Sequence, residues 1–118
     1  MPAMEKIASL NDLNYHHTLM DTSGAVLVYF TAPNCGTCRS LKLALTQYLE
    51  RAEGVAVFEV DAVHNGGLIN EFGIFHLPTL YMYLNGEFHA DLQCFAMPDA
   101  IQQAVDKAVS LSPEEEPS

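Results

Sequence analysis

Two cysteines three residues apart, Cys35 and Cys38, stand in the stretch FTAPNCGTCRS, residues 30–40. Such spacing admits three chemistries: a redox pair, half of a metal site, or two structural thiols. On the first turn of a helix, side chains at i and i+3 are neighbours, with Cβ atoms about 5–6 Å apart. A slight adjustment brings them within disulfide reach. A thiol at a helix N-terminus meets unpaired N–H groups and the positive end of the helix dipole. Both stabilise the thiolate, which is the nucleophile. Cys35 is then the attacking thiol. Cys38, one turn inside, is the resolving thiol that attacks a mixed disulfide and releases the partner. A zinc site needs two more ligands. There is no second C-x-x-C, and the five histidines form no H-x3–5-H pair. A set of Cys35, Cys38, Cys94 and His76 is conceivable only if the fold gathers them. His16-His17 points its two rings about 100° apart around a helix, which makes a poor bidentate site.

The elements that must hold this pair can be read on either side of it. AVLVYF, residues 25–30, is β-branched and aromatic and apolar on both faces, as a central strand covered on both sides requires. After Cys35, the residues Leu41, Ala44, Leu45, Tyr48 and Leu49 share one helical face, and Gly54 ends that helix. VAVFEV, 55–60, reads as a second strand. A short helix is expected over Leu68 to Phe72, stopped by Gly73. Pro78 opens the strand TLYMYL, and Asn85-Gly86 signals a hairpin into EFHADLQ. Pro98 starts a last helix whose buried stripe is Ile101, Ala104, Val105, Ala108 and Val109. Near the N-terminus, Ser9 resembles an N-cap with Asp12 in the first turn, and Leu10, Leu13, His17 and Met20 recur at helical spacing. Early alternation of strand and helix implies parallel strands, and the late hairpin implies antiparallel ones. The fold class is therefore α/β, a mixed sheet with helices on both faces.

The chain has 118 residues, a length for one domain. Hydrophobic residues make up 49% and charged residues 17%, which fits a globular fold. The net charge of −10 repels nucleic acid and anionic lipid, so neither is an expected partner. The longest apolar run, Ala25 to Phe30, is too short to span a membrane. The N-terminus MPAMEKIASLNDL carries no apolar signal core. Three cysteines, an odd count, favour a reducing, cytoplasmic setting. One domain over residues 1–110 is expected, with 111–118 an acidic, disordered tail ending in SPEEEPS.

At this point the sequence resembles the thioredoxin family. The resemblance rests on VLVYFTAPNCGTC, VFEVDA, FGIFHLPTL and NGEF, in this order, over residues 24 to 110. It implies the thioredoxin fold and thiol–disulfide oxidoreductase activity on protein disulfides and dithiols. A monomer without bound cofactor or metal is implied, with an electron donor of the thioredoxin-reductase type. Cys35 maps to the nucleophile, Cys38 to the resolving thiol and Pro78 to the family's cis-proline. Leu77 and Thr79 flank the implied substrate groove, and Asn34 borders it.

The departures from the family pattern are specific. Asn34 stands where a tryptophan is usual, so an apolar contact surface is expected to be missing. Tyr29 falls on the family's buried aspartate and Val57 on its lysine partner, and Glu59 is a candidate substitute for the lost carboxylate. Thr37 replaces the motif's proline and adds an N–H and a hydroxyl near Cys35. With Gly36 and the cationic Arg39 it should tune the potential. Extra donors favour the thiolate and hence the reduced form, so a potential more oxidising than thioredoxin's is expected. Cys94 falls on a family glycine near the site. It is an auxiliary thiol or a small buried hydrophobe. His76, two residues before Pro78, is a candidate for the groove rim or a plain solvent-facing residue. Two other functional classes stay open: a binding or adaptor module that kept the fold, and a metal- or cluster-binding variant.

Overall fold

The computed structural model describes residues 7–117. Its elements run β1 (Ile7–Leu10), α1 (Tyr15–Met20), β2 (Ala25–Thr31), α2 (Gly36–Arg51) and β3 (Val55–Asp61). They continue with α3 (Gly66–Phe72), β4 (Thr79–Leu84), β5 (Glu87–Leu92) and α4 (Pro98–Val109). The strands lie in the order β1-β3-β2-β4-β5. β1, β3 and β2 are parallel, β4 is antiparallel to β2, and β5 is antiparallel to β4. This is the expected mixed sheet.

Strand alternation splits the core in two. Leu27 and Tyr29 of β2 face α2 and α4, among Leu45, Leu49, Ile101 and Val105. Val26, Val28 and Phe30 face α1 and α3, among Tyr15, Leu19, Leu68 and Phe72. All five of these β2 residues are fully buried, which explains the unbroken apolar run. The predicted inner face of α2 is buried throughout. That helix ends at Arg51, and Gly54 lies beyond it with a φ of +73°. Gly73 terminates α3 in the left-handed conformation. At the hairpin, Asn85 and Gly86 both have positive φ, 51° and 85°. A Cβ on Gly86 would sit 3.0 Å from the Met20 carbonyl oxygen, so glycine is required there on both counts.

Two expectations are corrected. Ser9 is no helix cap. It lies in β1 opposite Glu59, and the helix starts only at Tyr15. Leu13 and Met20 are 90% and 73% exposed, while Tyr15 and Leu19 carry the burial. An Asn11 side chain that accepts the N–H groups of Leu13 and Asn14 forms a turn between strand and helix. Asp12 instead caps α3, accepting the Leu68 N–H at 2.9 Å. Val109 is exposed, because eight residues beyond Ile101 it has rotated about 80° off the buried stripe. Ala104 of the same stripe is half-buried.

Residues 112–117 form neither helix nor strand. They are nevertheless fastened to β5 at Glu114, whose N–H donates to the His89 carbonyl at 2.8 Å. Its carboxylate accepts the Asp91 N–H at 3.1 Å. The stretch expected to be a free tail is thus tied down at this point, because an edge strand leaves main-chain groups open. Among the described residues, no helix is long and apolar enough to cross a membrane.

Candidate active site

β2 delivers the chain to the site. A short turn, with Asn34 at a φ of 64°, reverses it into α2. Cys35 is the N-cap of that helix, in extended conformation. Its sulfur does the work of a capping oxygen and accepts the Cys38 N–H at 3.2 Å. The Thr37 hydroxyl lies 3.5 Å from the same sulfur. Cys35 and Cys38 are joined as a disulfide with Cα atoms 5.2 Å apart. The pair is asymmetric: Cys35 is partly exposed and Cys38 is 1% exposed. Arg39 is exposed, and its guanidinium lies near Gly36, where a Cβ would stand 3.7 Å from Nη2.

The second wall comes from the segment before β4. The Leu77–Pro78 peptide bond is cis. Thr79 pairs with Phe30 at the end of β2, and its hydroxyl donates to the His76 carbonyl at 2.6 Å. Thr37, His76, Pro78, Thr79 and Cys94 line one channel of about 530 Å³. The fold therefore gathers five of the residues read from sequence. Leu77 differs, because its side chain packs against the core cluster on the α1–α3 side. Only its main chain can serve a groove there. Asn34 and Arg39 lie outside the channel lining and are solvent-exposed. His76 is exposed and Cys94 half-buried. Burial raises the Cys94 thiol pKa, which keeps it protonated and a poorer nucleophile. Among the described residues, no group of three His, Cys, Asp or Glu side chains is placed to hold a metal ion. The conceivable four-ligand set is not assembled.

On β2, Tyr29 is fully buried and donates its hydroxyl to Glu59 Oε1 at 2.5 Å. Lys42, one turn past Cys38 on α2, brings Nζ to 3.4 Å from the same oxygen. Burial, and then Glu59, pushes the Tyr29 pKa far up, so the phenol stays a donor. The partly exposed Lys42–Glu59 pair and the Tyr29 hydroxyl thus join α2, β3 and β2. Sequence reasoning noted Glu59 but missed Lys42. The i+4 spacing from Cys38 was the signal.

Phe95 and Phe75 were also missed. Phe95 lines the channel and is 81% exposed, and Phe75, beside His76, is 91% exposed. Exposed apolar surface is thus present at the channel in Phe95, and beside His76 in Phe75.

A mixed sheet with C-x-x-C at the start of a helix and proline opposite it defines a thiol–disulfide exchange fold. The thioredoxin family profile matches residues 6–107, and the chain belongs to that family. It is 32% identical over 82 residues to protein disulfide-isomerase A3 of Gallus gallus, covering 69% of this chain and 16% of that protein. It is 28% identical over 106 residues to thioredoxin 1 of Nostoc sp., covering 88% of this chain and 98% of that one. Thioredoxin of Griffithsia pacifica is 28% identical over 82 residues, 69% of this chain and 75% of that one. The family and the disulfide-forming pair together support thiol–disulfide oxidoreductase activity for this domain.

Proposed function

We propose that the Cys35–Cys38 pair exchanges electrons with disulfides and dithiols of protein partners. One observation carries this reading: a solvent-reaching sulfur that accepts a helix N–H, backed by a buried second thiol. In the reducing direction the Cys35 thiolate attacks one sulfur of a substrate disulfide. A mixed disulfide forms, and the other substrate sulfur leaves as a thiolate and takes a proton from water. Cys38 gives up its proton and attacks the Cys35 sulfur. The Cys35–Cys38 bond forms and the second substrate sulfur departs as a thiol. The substrate has gained two electrons, and the reverse sequence oxidises a dithiol.

Pro78, Thr79 and the Leu77 main chain form the wall along which a substrate peptide lies, with Asn34 on the rim. Thr37, Gly36 and Arg39 tune the Cys35 thiolate. His76 stands at the groove mouth. An electron donor of the thioredoxin-reductase type belongs to the same proposal. So do a monomeric state and a reducing, cytoplasmic setting, which the odd cysteine count supports.

Trapping tests the reading. Cys38→Ala should accumulate mixed disulfides from cell extract, because the resolving attack is gone. Cys35→Ser should lose insulin reduction with dithiothreitol. A wild-type protein with no turnover and an unreactive Cys35 would instead support an adaptor.

A further inference from the structure

β5 is the last strand of the sheet, and among the described residues its outer side is open apart from the tail. Strand alternation turns the main-chain groups of His89 and Asp91 to that side, and Gln93 is the next residue in the same set. Glu114 takes up the first two, with its own N–H and with a carboxylate oxygen. Only the first of these is the bond a neighbouring strand would make. Three cavities of about 530, 470 and 350 Å³ adjoin along this edge, and Gln93 lines all three. Thr37 and Pro78 stand at one end of the run and Glu114 at the other. An extended segment lying on β5 would therefore run toward the Thr37 and Pro78 end of the channel.

The charges say which segment. Glu114 places a carboxylate beside Asp91. Burial first, and Glu114 second, raise the Asp91 pKa, so the seated tail is opposed by like charge. Lys107 lines the two cavities beside α4, so a basic segment sets its cations on the Asp91 side of the edge and its uncharged side chains toward α4. For an incoming segment, the chain's net charge of −10 and Asp91 on the edge itself both favour the opposite sign.

We propose that the open edge of β5 docks an extended, basic segment of the substrate protein by strand addition, with Glu114 as its resident competitor. The proposal rests on the reading that the substrates are proteins. Main-chain bonds to the edge give the affinity, and alternate side chains enter the cavities beside Gln93. Docking there holds a substrate disulfide near Cys35 and raises its effective concentration.

The test uses the full chain and a blocked, cysteine-free synthetic peptide that alternates lysine with valine. A second peptide carries glutamate in place of lysine. Binding is read by fluorescence anisotropy and by amide chemical shifts. The lysine peptide should bind and shift the Asp91 and Gln93 amides, and the glutamate peptide should not. Glu114→Pro removes both the donated N–H and the carboxylate. It should tighten binding several-fold, by the reciprocal of the fraction of edge the tail leaves free. Asp91→Lys should weaken binding several-fold. Equal binding of both peptides, shifts confined to other amides, or unchanged affinity in Glu114→Pro would each overturn the proposal. So would dimerisation of Glu114→Pro, which would give the edge to a second copy of the chain. With no cysteine in the peptide, binding is read whether or not thiol exchange occurs. Insulin turnover reports exchange alone, so either reading can fail without the other.

Discussion

Thr37 is the residue whose replacement tests the redox poise proposed for this site. Its hydroxyl lies 3.5 Å from the Cys35 sulfur, the atom that carries the charge in the reduced form. A hydrogen bond to a charged group is worth about 1.5–3 kcal/mol, and about 1.4 kcal/mol corresponds to 30 mV for a two-electron couple. Thr37→Pro should therefore lower the potential by roughly 30 mV or more, toward the thioredoxin value of about −270 mV. A redox titration against glutathione checks this, and an unchanged or raised potential would refute it. Tyr29 makes a different contribution, to stability. Its buried hydroxyl is held by Glu59, and Tyr29→Phe deletes that bond while leaving Lys42 to pair the carboxylate. The expected loss is about 1–2 kcal/mol in urea unfolding, with the m-value unchanged. No loss would mean that Glu59 is satisfied by Lys42 and water alone.

Among the elements, α2 ties the site to the core. Leu45 is fully buried between α2 and the sheet, two turns below the disulfide. Leu45→Ala should cost about 2–5 kcal/mol. Asp12 acts on another element, because it caps α3 from a distance of 56 residues. Asp12→Ala should cost about 1 kcal/mol, read as a fall in the urea midpoint. This pair of residues also shows what the sequence discloses. The inner face of α2, the strand 25–30 and the Asn85-Gly86 turn were legible because each rests on contacts local in sequence or on unbroken burial. β1 and the start of α1 were not. Ser9 meets Glu59 only across the sheet, Asp12 meets Leu68 only where α3 packs, and a short edge strand leaves no apolar run to mark it. The channel was legible through Thr37, His76, Pro78, Thr79 and Cys94. Phe95 and Gln93 join it, and Glu114 meets β5, through tertiary contacts that no local pattern announces.

For the molecule as a whole, fifteen acidic side chains on 118 residues make charge the dominant surface property. Asp91 shows its effect on stability. Burial, then Glu114, raises its folded pKa above the unfolded one, so the folded state keeps that proton longer. This group's contribution therefore becomes more favourable as pH falls through the folded pKa. Its gain is complete below the unfolded value of about 3.9. Asp91→Asn should raise the melting temperature at neutral pH, with the advantage vanishing near about pH 3. A variant equally stable to wild type at neutral pH would contradict this. Two of the fold's turns also differ in a way that matters for engineering. Gly86 is wedged against the backbone of Met20, whereas a Cβ on Gly54 would have no heavy atom within 4 Å. Gly54 lies just before β3, at the opposite end of the parallel strands from the disulfide. The turn beside it is thus the place to insert an epitope tag or a fluorophore, where the added chain would report on the protein without shadowing its thiols.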